Sequence, residues 1–227
     1  MTSSSTTAAI AGASGLVGSC LLRRLLDDPG YGRVVAFVRK PLPISHPKLE
    51  QVEVTVDNLP GALADTAADD WYCALGTTIR TAGTREAFRR VDYDYPMALG
   101  RQAAASGGKR FLLVSAVGAS ASSSIFYSRV KGELERDLEK LGIPELHVFR
   151  PSLLLGERQE YRRGERFFGY AMKPLNPLLA GPLAKYKAVQ ADSVAAAMVR
   201  AARSDAAAGT HLYEGKRLFG KRLFGKQ

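Results

Sequence analysis

Ala8-Ala9-Ile10-Ala11-Gly12-Ala13-Ser14-Gly15-Leu16-Val17-Gly18 is the stretch on which the fold turns. Four small apolar residues read as a short buried strand that runs straight into a glycine-punctuated turn. Beyond it, Val17, Leu21 and Leu25 recur four apart, and Leu22 and Leu26 widen the stripe until Asp28-Pro29-Gly30 stops the helix. Glycines at Gly12, Gly15 and Gly18 let a backbone come close to a pyrophosphate, whose charge the helix N-terminus then meets. A tight strand-to-helix turn also needs glycine for purely structural reasons, so the weight of the motif depends on what surrounds it.

What surrounds it is a regular alternation. Arg33 to Val38 is a continuous apolar strand of the kind that a parallel sheet covers on both faces. Val52, Val54 and Val56 alternate in a third strand, and Trp71 to Leu75 form a fourth. A helical stretch from Thr84 to Ser106 follows, kinked or divided at Pro96. Phe111 to Val114 is the fifth strand, Ile125 to Leu141 a charged amphipathic helix ending at Gly142, and Leu146 to Phe149 the sixth strand. Such alternation predicts an α/β doubly wound parallel sheet. The residues after Pro151 hold a Pro-rich stretch (Lys173 to Pro182), an Ala-rich helix (Asp192 to Arg203) and a short strand (Thr210 to Tyr213). They are too few for a second domain and read as a small substrate lobe over the sheet's C-terminal edge. The expected organisation is a polar, frayed start over residues 1–7, one domain over 8–214, and a basic tail over 215–227.

Two further signals carry chemistry. Arg39-Lys40 ends the second strand, where an acid would bind the 2′-hydroxyl of NAD. Two cations there suit a 2′-phosphate instead, which points to NADP(H). Tyr127 and Lys131 are the only Tyr-x-x-x-Lys pair in the chain, and residues four apart share a helix face. A cation beside the phenol is expected to bring its pKa toward the working range. Ser115 ends the preceding strand and is placed to hydrogen-bond a substrate carbonyl.

The glycine spacing, Ser115, Tyr127 and Lys131 together resemble the short-chain dehydrogenase/reductases, NAD(P)-binding Rossmann-fold enzymes. Cys73-Ala-Leu-Gly-Thr-Thr78, Ala82-Gly-Thr84, Val91-Asp-Tyr-Asp-Tyr95 and Phe149-Arg-Pro151 through Arg158-Gln-Glu160 are similar to one atypical branch, the Tat-interacting-protein-like oxidoreductases. The likeness runs from about residue 8 to 203. It implies that Ser14, Gly15, Leu16 and Val17 wrap the pyrophosphate and that Arg39 and Lys40 take the 2′-phosphate. Leu75, Gly76 and Thr77 would line the ribose side, with Tyr127 and Lys131 at the nicotinamide ribose. Leu154 and Arg162 would close over the cofactor. Asp92 stands where many such enzymes carry an Asn for proton relay, a departure that bears on turnover.

The implied activity is hydride transfer to or from a carbonyl or alcohol substrate through Ser115, Tyr127 and Lys131. The alternative is an NADPH-binding regulatory or redox-sensing protein whose output is a contact. The net charge of +10 raises nucleic acid as a partner, but five cations and no acid of the tail account for half of it. With no recognition motif, specific nucleic-acid binding is not expected. The tail repeats Gly-Lys-Arg-Leu-Phe at Gly215 and Gly220, a five-residue period that fits neither helix nor strand, and reads as a solvated end. A weak contact with an anionic surface or acidic protein is its other reading. Cys20 and Cys73 are too few for a disulfide framework. His46, His147 and His211 lack metal-ligand spacing, and the order Gly-x-Ser-x-Gly of a hydrolase elbow is missing. No apolar run reaches membrane-spanning length, and a cationic leader is missing, so the expected location is cytoplasmic.

Overall fold

A computed structural model describes residues 5–55, 58–155, 189–215 and 218. The strands are β1 (Thr6–Ala11), β2 (Tyr31–Val38), β3 (Leu49–Glu53), β4 (Asp70–Cys73), β5 (Arg110–Val114), β6 (Glu145–Arg150), β7 (Leu154–Leu155), β8 (Val189–Gln190) and β9 (Gly209–Glu214). The helices are α1 (Leu16–Asp27), α2 (Leu59–Ala64), α3 (Ile79–Ala82), α4 (Arg85–Arg89), α5 (Tyr95–Ala105), α6 (Phe126–Glu139) and α7 (Ala191–Ala202). Seven strands form one parallel sheet in the order β3-β2-β1-β4-β5-β6-β9. The doubly wound α/β expectation is the architecture found. The order turns back between β1 and β4, so their carboxyl ends open a crevice of the kind that receives ligands in open α/β sheets.

Alternate residues of each strand face opposite ways, and two cores follow from it. Ala8, Ile10, Val34, Ala36, Tyr72 and Leu112 pack under α1 and α7. Ala9, Ala11, Val35, Phe37, Trp71, Cys73, Phe111 and Leu113 pack under α2, α5 and α6. β1 is built of small side chains, all at most 3% exposed apart from its two threonines, so helices approach it closely from both sides.

Several elements depart from the sequence expectation. The polar start is shorter than expected, because Thr6 and Thr7 already belong to β1. β3 lies earlier than the Val52-Val54-Val56 alternation. Its ladder stops where β2 ends, and Asn58 folds the next residues into a turn by accepting from Thr55 N–H at 2.6 Å and donating to Glu53 O at 3.2 Å. Val56 lies outside the described residues. The Thr84–Ser106 stretch is divided at Pro96 as expected, but a five-residue π turn (Arg90–Asp94) precedes the break. Proline has no N–H for the carbonyl four residues back and its ring crowds that carbonyl, which here belongs to Asp92. The wider turn is the local answer, and it leaves Asp92 fully buried.

The largest correction concerns the end of the chain. The Ala-rich helix and last strand do not cap the sheet edge as a lobe. α7 lies beside α1, tied by Arg24 to Asp192 at 2.7 Å and Arg203 to Asp28 at 2.6 Å, and β9 extends the sheet beyond β6. Between them, Leu154–Leu155 and Val189–Gln190 make a two-stranded parallel ladder. The Lys173–Pro182 stretch lies outside the described residues. So does most of the tail, yet Leu218 is 1% exposed and joins the α1–α7 core, so the tail's first repeat is not wholly solvated.

Gly132 shows how closely the parts around α6 fit. A Cβ there would lie 2.2 Å from Ala121 N and Ser120 C, both backbone atoms that cannot swing away. Gly132→Ala is therefore expected to lower unfolding free energy by about 1–3 kcal/mol, the usual range for forcing a methyl into a packed site. Urea denaturation checks it, and an unchanged midpoint would contradict the packing described.

Candidate active site

The glycine turn is a matter of clearance. Gly12 has φ +89°, and a Cβ on it would sit 2.6 Å from the carbonyl carbon and oxygen of Ala74. Gly15 N–H donates to Gly12 O at 2.9 Å, and a Cβ on Gly18 would fall 2.0 Å from that same oxygen. α1 thus begins against the ends of both β1 and β4. Its N-cap, Gly15, has no side chain to accept from the first-turn amides, and no acid lies in that turn. Uncapped donors and the positive end of the helix dipole make a cradle that fits a pyrophosphate. Ser14 and Gly15 are exposed and Leu16 is half-buried. Val17 and Gly18 are buried, so Val17 offers a ligand only its backbone while its side chain belongs to the core.

Arg39 and Lys40 emerge past the end of β2, both exposed, and neither has a charge partner among the described residues. From the crevice, β4 leads toward α6. Leu75 is half-buried against the α5–α6 core, and Thr77 N–H donates to Asp92 Oδ2 at 2.9 Å. A Cβ on Gly76 would stand 3.6 Å from Asp92 Oδ1 and 3.8 Å from Lys131 Nζ. The glycine turn thus lies against the start of the β4 loop, and the same loop passes over the Asp92–Lys131 pair.

At its far end, Lys131 Nζ lies 2.8 Å from Asp92 Oδ1, with the side chains 4% and 0% exposed. Oδ1 accepts no hydrogen bond of proper geometry, so charge holds this contact. Burial opposes the ammonium, but Asp92 and Tyr127 together keep the Lys131 pKa above its ordinary value. Tyr127 packs against Phe88 with the rings tilted by 50° and their centroids 5.6 Å apart, and its hydroxyl has no hydrogen-bond partner among the described residues. Its pKa departs from the sequence expectation. Burial pushes the phenol up, Lys131 pulls it down, and Asp92 pushes it up again, with a raised value as the result. The neighbouring cation is real, but a carboxylate already compensates it.

Ser115 joins a different group. Strand alternation turns it toward α6, where its hydroxyl donates to Glu135 Oε1, and Glu135 is ion-paired with Arg150. The hydroxyl that the sequence reading assigns to a substrate oxygen is thus held by a carboxylate in this structure. Leu154 sits half-buried in the β7–β8 ladder against the α1–α7 core, and Arg162 lies outside the described residues, as do Arg158 to Glu160. Sequence reasoning missed Glu135, which is 20 residues from Ser115, and Phe88, which touches Tyr127 from another helix. Neither has a local spacing by which to be found. Asp92 stood out by its position, but its pairing with Lys131 did not.

Comparison with known proteins agrees with this geometry. An NAD(P)H-binding family matches residues 12–164. Protein HTATIP2 of Rattus norvegicus is 40% identical over 168 residues, spanning 70% of this chain and 69% of that protein. Protein FMP52, mitochondrial, of Eremothecium gossypii is 34% identical over 158 residues, 69% of this chain and 70% of its own. The fmp52 protein of Aspergillus clavatus is 34% identical over 205 residues, 85% of each chain. Among solved structures, MoeE5 in complex with UDP-glucose and NAD has a TM-score of 0.68 at 17% identity, covering 91% of this chain and 74% of that one. UDP-glucose 4-epimerase of Thermotoga maritima has a TM-score of 0.69 at 15% identity, covering 92% and 76%. At such identities the likeness shows the fold alone.

Several relatives are named as mitochondrial, which overturns the cytoplasmic location expected from the sequence. Both the cradle and the relatives lead to one assignment: the chain belongs to the NAD(P)H-binding family, in the group that contains HTATIP2 and the FMP52 proteins.

Proposed function

We propose that the chain is an NADP(H)-dependent oxidoreductase of short-chain dehydrogenase/reductase type, acting on a small carbonyl or alcohol compound. The observation that carries this reading is Tyr127. A phenol whose hydroxyl has no partner among the described residues shares a helix face with a buried ammonium, and the β4 loop links that pair to a glycine turn suited to a pyrophosphate. When bound, the nicotinamide supplies the hydride for the carbonyl carbon.

The chain's own residues supply position and a proton. Gly12, Gly15 and Gly18 allow the approach, and the amides of Ser14 to Val17 would hold the pyrophosphate. Arg39 and Lys40 would take the 2′-phosphate that distinguishes NADP(H) from NAD(H), by charge-assisted bonds. Gly76 leaves room for a ribose over the Lys131–Asp92 pair. Tyr127 gives its proton to the carbonyl oxygen, and Lys131 holds the site's electrostatics.

A second reading has one observation in its favour. With Ser115 bonded to Glu135, the Ser, Tyr and Lys set is incomplete as a substrate clamp, which suits a binding or redox-sensing protein. Purified protein with NADPH and a panel of aldehydes, ketones and quinones separates the two, since tight binding with no consumption above background supports the sensor.

Two variants test the enzyme. Tyr127→Phe is expected to cut turnover about 100- to 10,000-fold, the usual worth of a general acid, while NADPH binding persists. Normal turnover in that variant would remove Tyr127 from the chemistry. In thermal-shift titrations, a dinucleotide at 100 times its Kd adds about 2.7 kcal/mol of stability, so NADPH should stand above NADH. Replacing Arg39 and Lys40 by Ala should weaken NADPH about 10- to 100-fold and leave NADH unaffected, on the usual scale for charged hydrogen bonds. Equal shifts for the two cofactors in the unsubstituted protein would withdraw the role of both cations.

A further inference from the structure

We infer that the carbonyl substrate has an apolar body and an anionic end, the body lying along Ile125 and Phe126 and the end meeting Arg85. The inference rests on the oxidoreductase reading and names its substrate class.

Among the described residues three large apolar side chains are exposed, and two of them open the helices that follow β4 and β5: Ile79 at 41% and Ile125 at 64%. Both follow carboxyl ends of strands, the edge at which an open α/β sheet receives ligands. Ile125 is also the N-cap of α6, two residues before Tyr127, and makes no side-chain cap. Ser, Thr, Asp or Asn there would hold a first-turn amide, so this position gives up a cap as well as burial.

The chain before α6 fixes the isoleucine in place. Ser123 Oγ accepts from Ile125 N–H at 3.1 Å, and Arg129 donates to the carbonyls of Ser123 at 2.9 Å and Ser124 at 3.2 Å. Phe126, next along, is half-buried, and Phe88 packs on both the Phe126 and Tyr127 rings, at 5.7 and 5.6 Å between centroids. Apolar contacts therefore run from the exposed Ile125 to the phenol. A hydroxyl-rich substrate would leave Ile125 wet, whereas an alkyl or aryl group would cover it.

Arg85 supplies the charge. Its guanidinium lies 5.2 Å from the Phe126 centroid, is exposed, and makes no ion pair among the described residues. Arg129, 5.8 Å from the same ring, is already bonded to the chain before α6. A carboxylate beside Phe126 would thus find a guanidinium ready to donate to it, and a cation there would be repelled.

Calorimetry on the full chain with NADPH present tests this without turnover. Nonanoate, an alkyl carboxylate, should bind at least about tenfold more tightly than gluconate, a polyhydroxylated one. Ile125→Ser and Arg85→Gln should each weaken nonanoate about tenfold, the low end for a lost hydrophobic contact or charged hydrogen bond. Leu212→Ser, which alters the third exposed apolar residue, on β9, should leave nonanoate unaffected. In turnover, nonanal should exceed glyceraldehyde in kcat/KM, and Ile125→Ser should narrow the gap.

Equal binding of nonanoate and gluconate overturns the inference, and this arm needs no variant to fold. Unchanged affinity in folded Ile125→Ser or Arg85→Gln overturns it too, as does an equal loss in Leu212→Ser. A fall from dimer to monomer mass in Ile125→Ser would make this surface a contact between two copies and would also overturn it. Nonanoate binding that depends on Ile125, with no carbonyl reduced, would strike the oxidoreductase reading alone.

Discussion

A seven-stranded parallel sheet has no solvent face, and that constraint governs the rest of the molecule. Each central strand must offer apolar side chains up and down alike, as Ala8, Ile10 and Ala9, Ala11 do from β1. Polar chemistry is displaced to the strand ends, where backbone and side chains can meet a ligand without breaking a core. The crevice between β1 and β4 is the end at which the chain reverses its order. Small residues in β1 let α1 come close, and that approach in turn demands glycine at Gly12 and Gly18. The cradle for a dinucleotide is a by-product of how tightly the central strand is covered.

What the sequence discloses is local, and what it hides is pairing across distance. The buried runs, the α1 stripe, the break at Pro96 and the Tyr127–Lys131 spacing all depend on neighbours within a few residues. β9 was misplaced because its partner, β6, lies some sixty residues earlier, and nothing in Gly209–Glu214 states which strand it joins. α7 was misplaced for the same reason: Arg24 and Asp192 are 168 residues apart. At the site, Tyr127 and Lys131 were legible as a pair, whereas Asp92 beneath Lys131 and Glu135 beneath Ser115 were not. These hidden partners change the chemistry, for one compensates the cation and the other occupies the hydroxyl.

Pro96 links the two levels. As a residue it only breaks a helix, a fact plain from its type. In the fold, the break widens the preceding turn at Asp92 and delivers that carboxylate into the interior. Asp92 then meets Lys131 from a separate helix, with Thr77 N–H fixing its second oxygen. Burying two charges repays its desolvation cost only when such hydrogen bonds complete the pairing.

The pair and the tyrosine differ in how they can be lost. Removing Asp92 alone strands a buried ammonium, and removing Lys131 alone strands a buried carboxylate, each at about 3–5 kcal/mol. The Tyr127 hydroxyl strands no partner among the described residues when it goes. On the proposed function, the proton donor is therefore detachable in a single mutational step, while the ion pair beside it is not. A descendant that gave up turnover would shed the phenol first and keep the ion pair for folding. Lysine and aspartate without the tyrosine would mark a former enzyme retained as a binding protein.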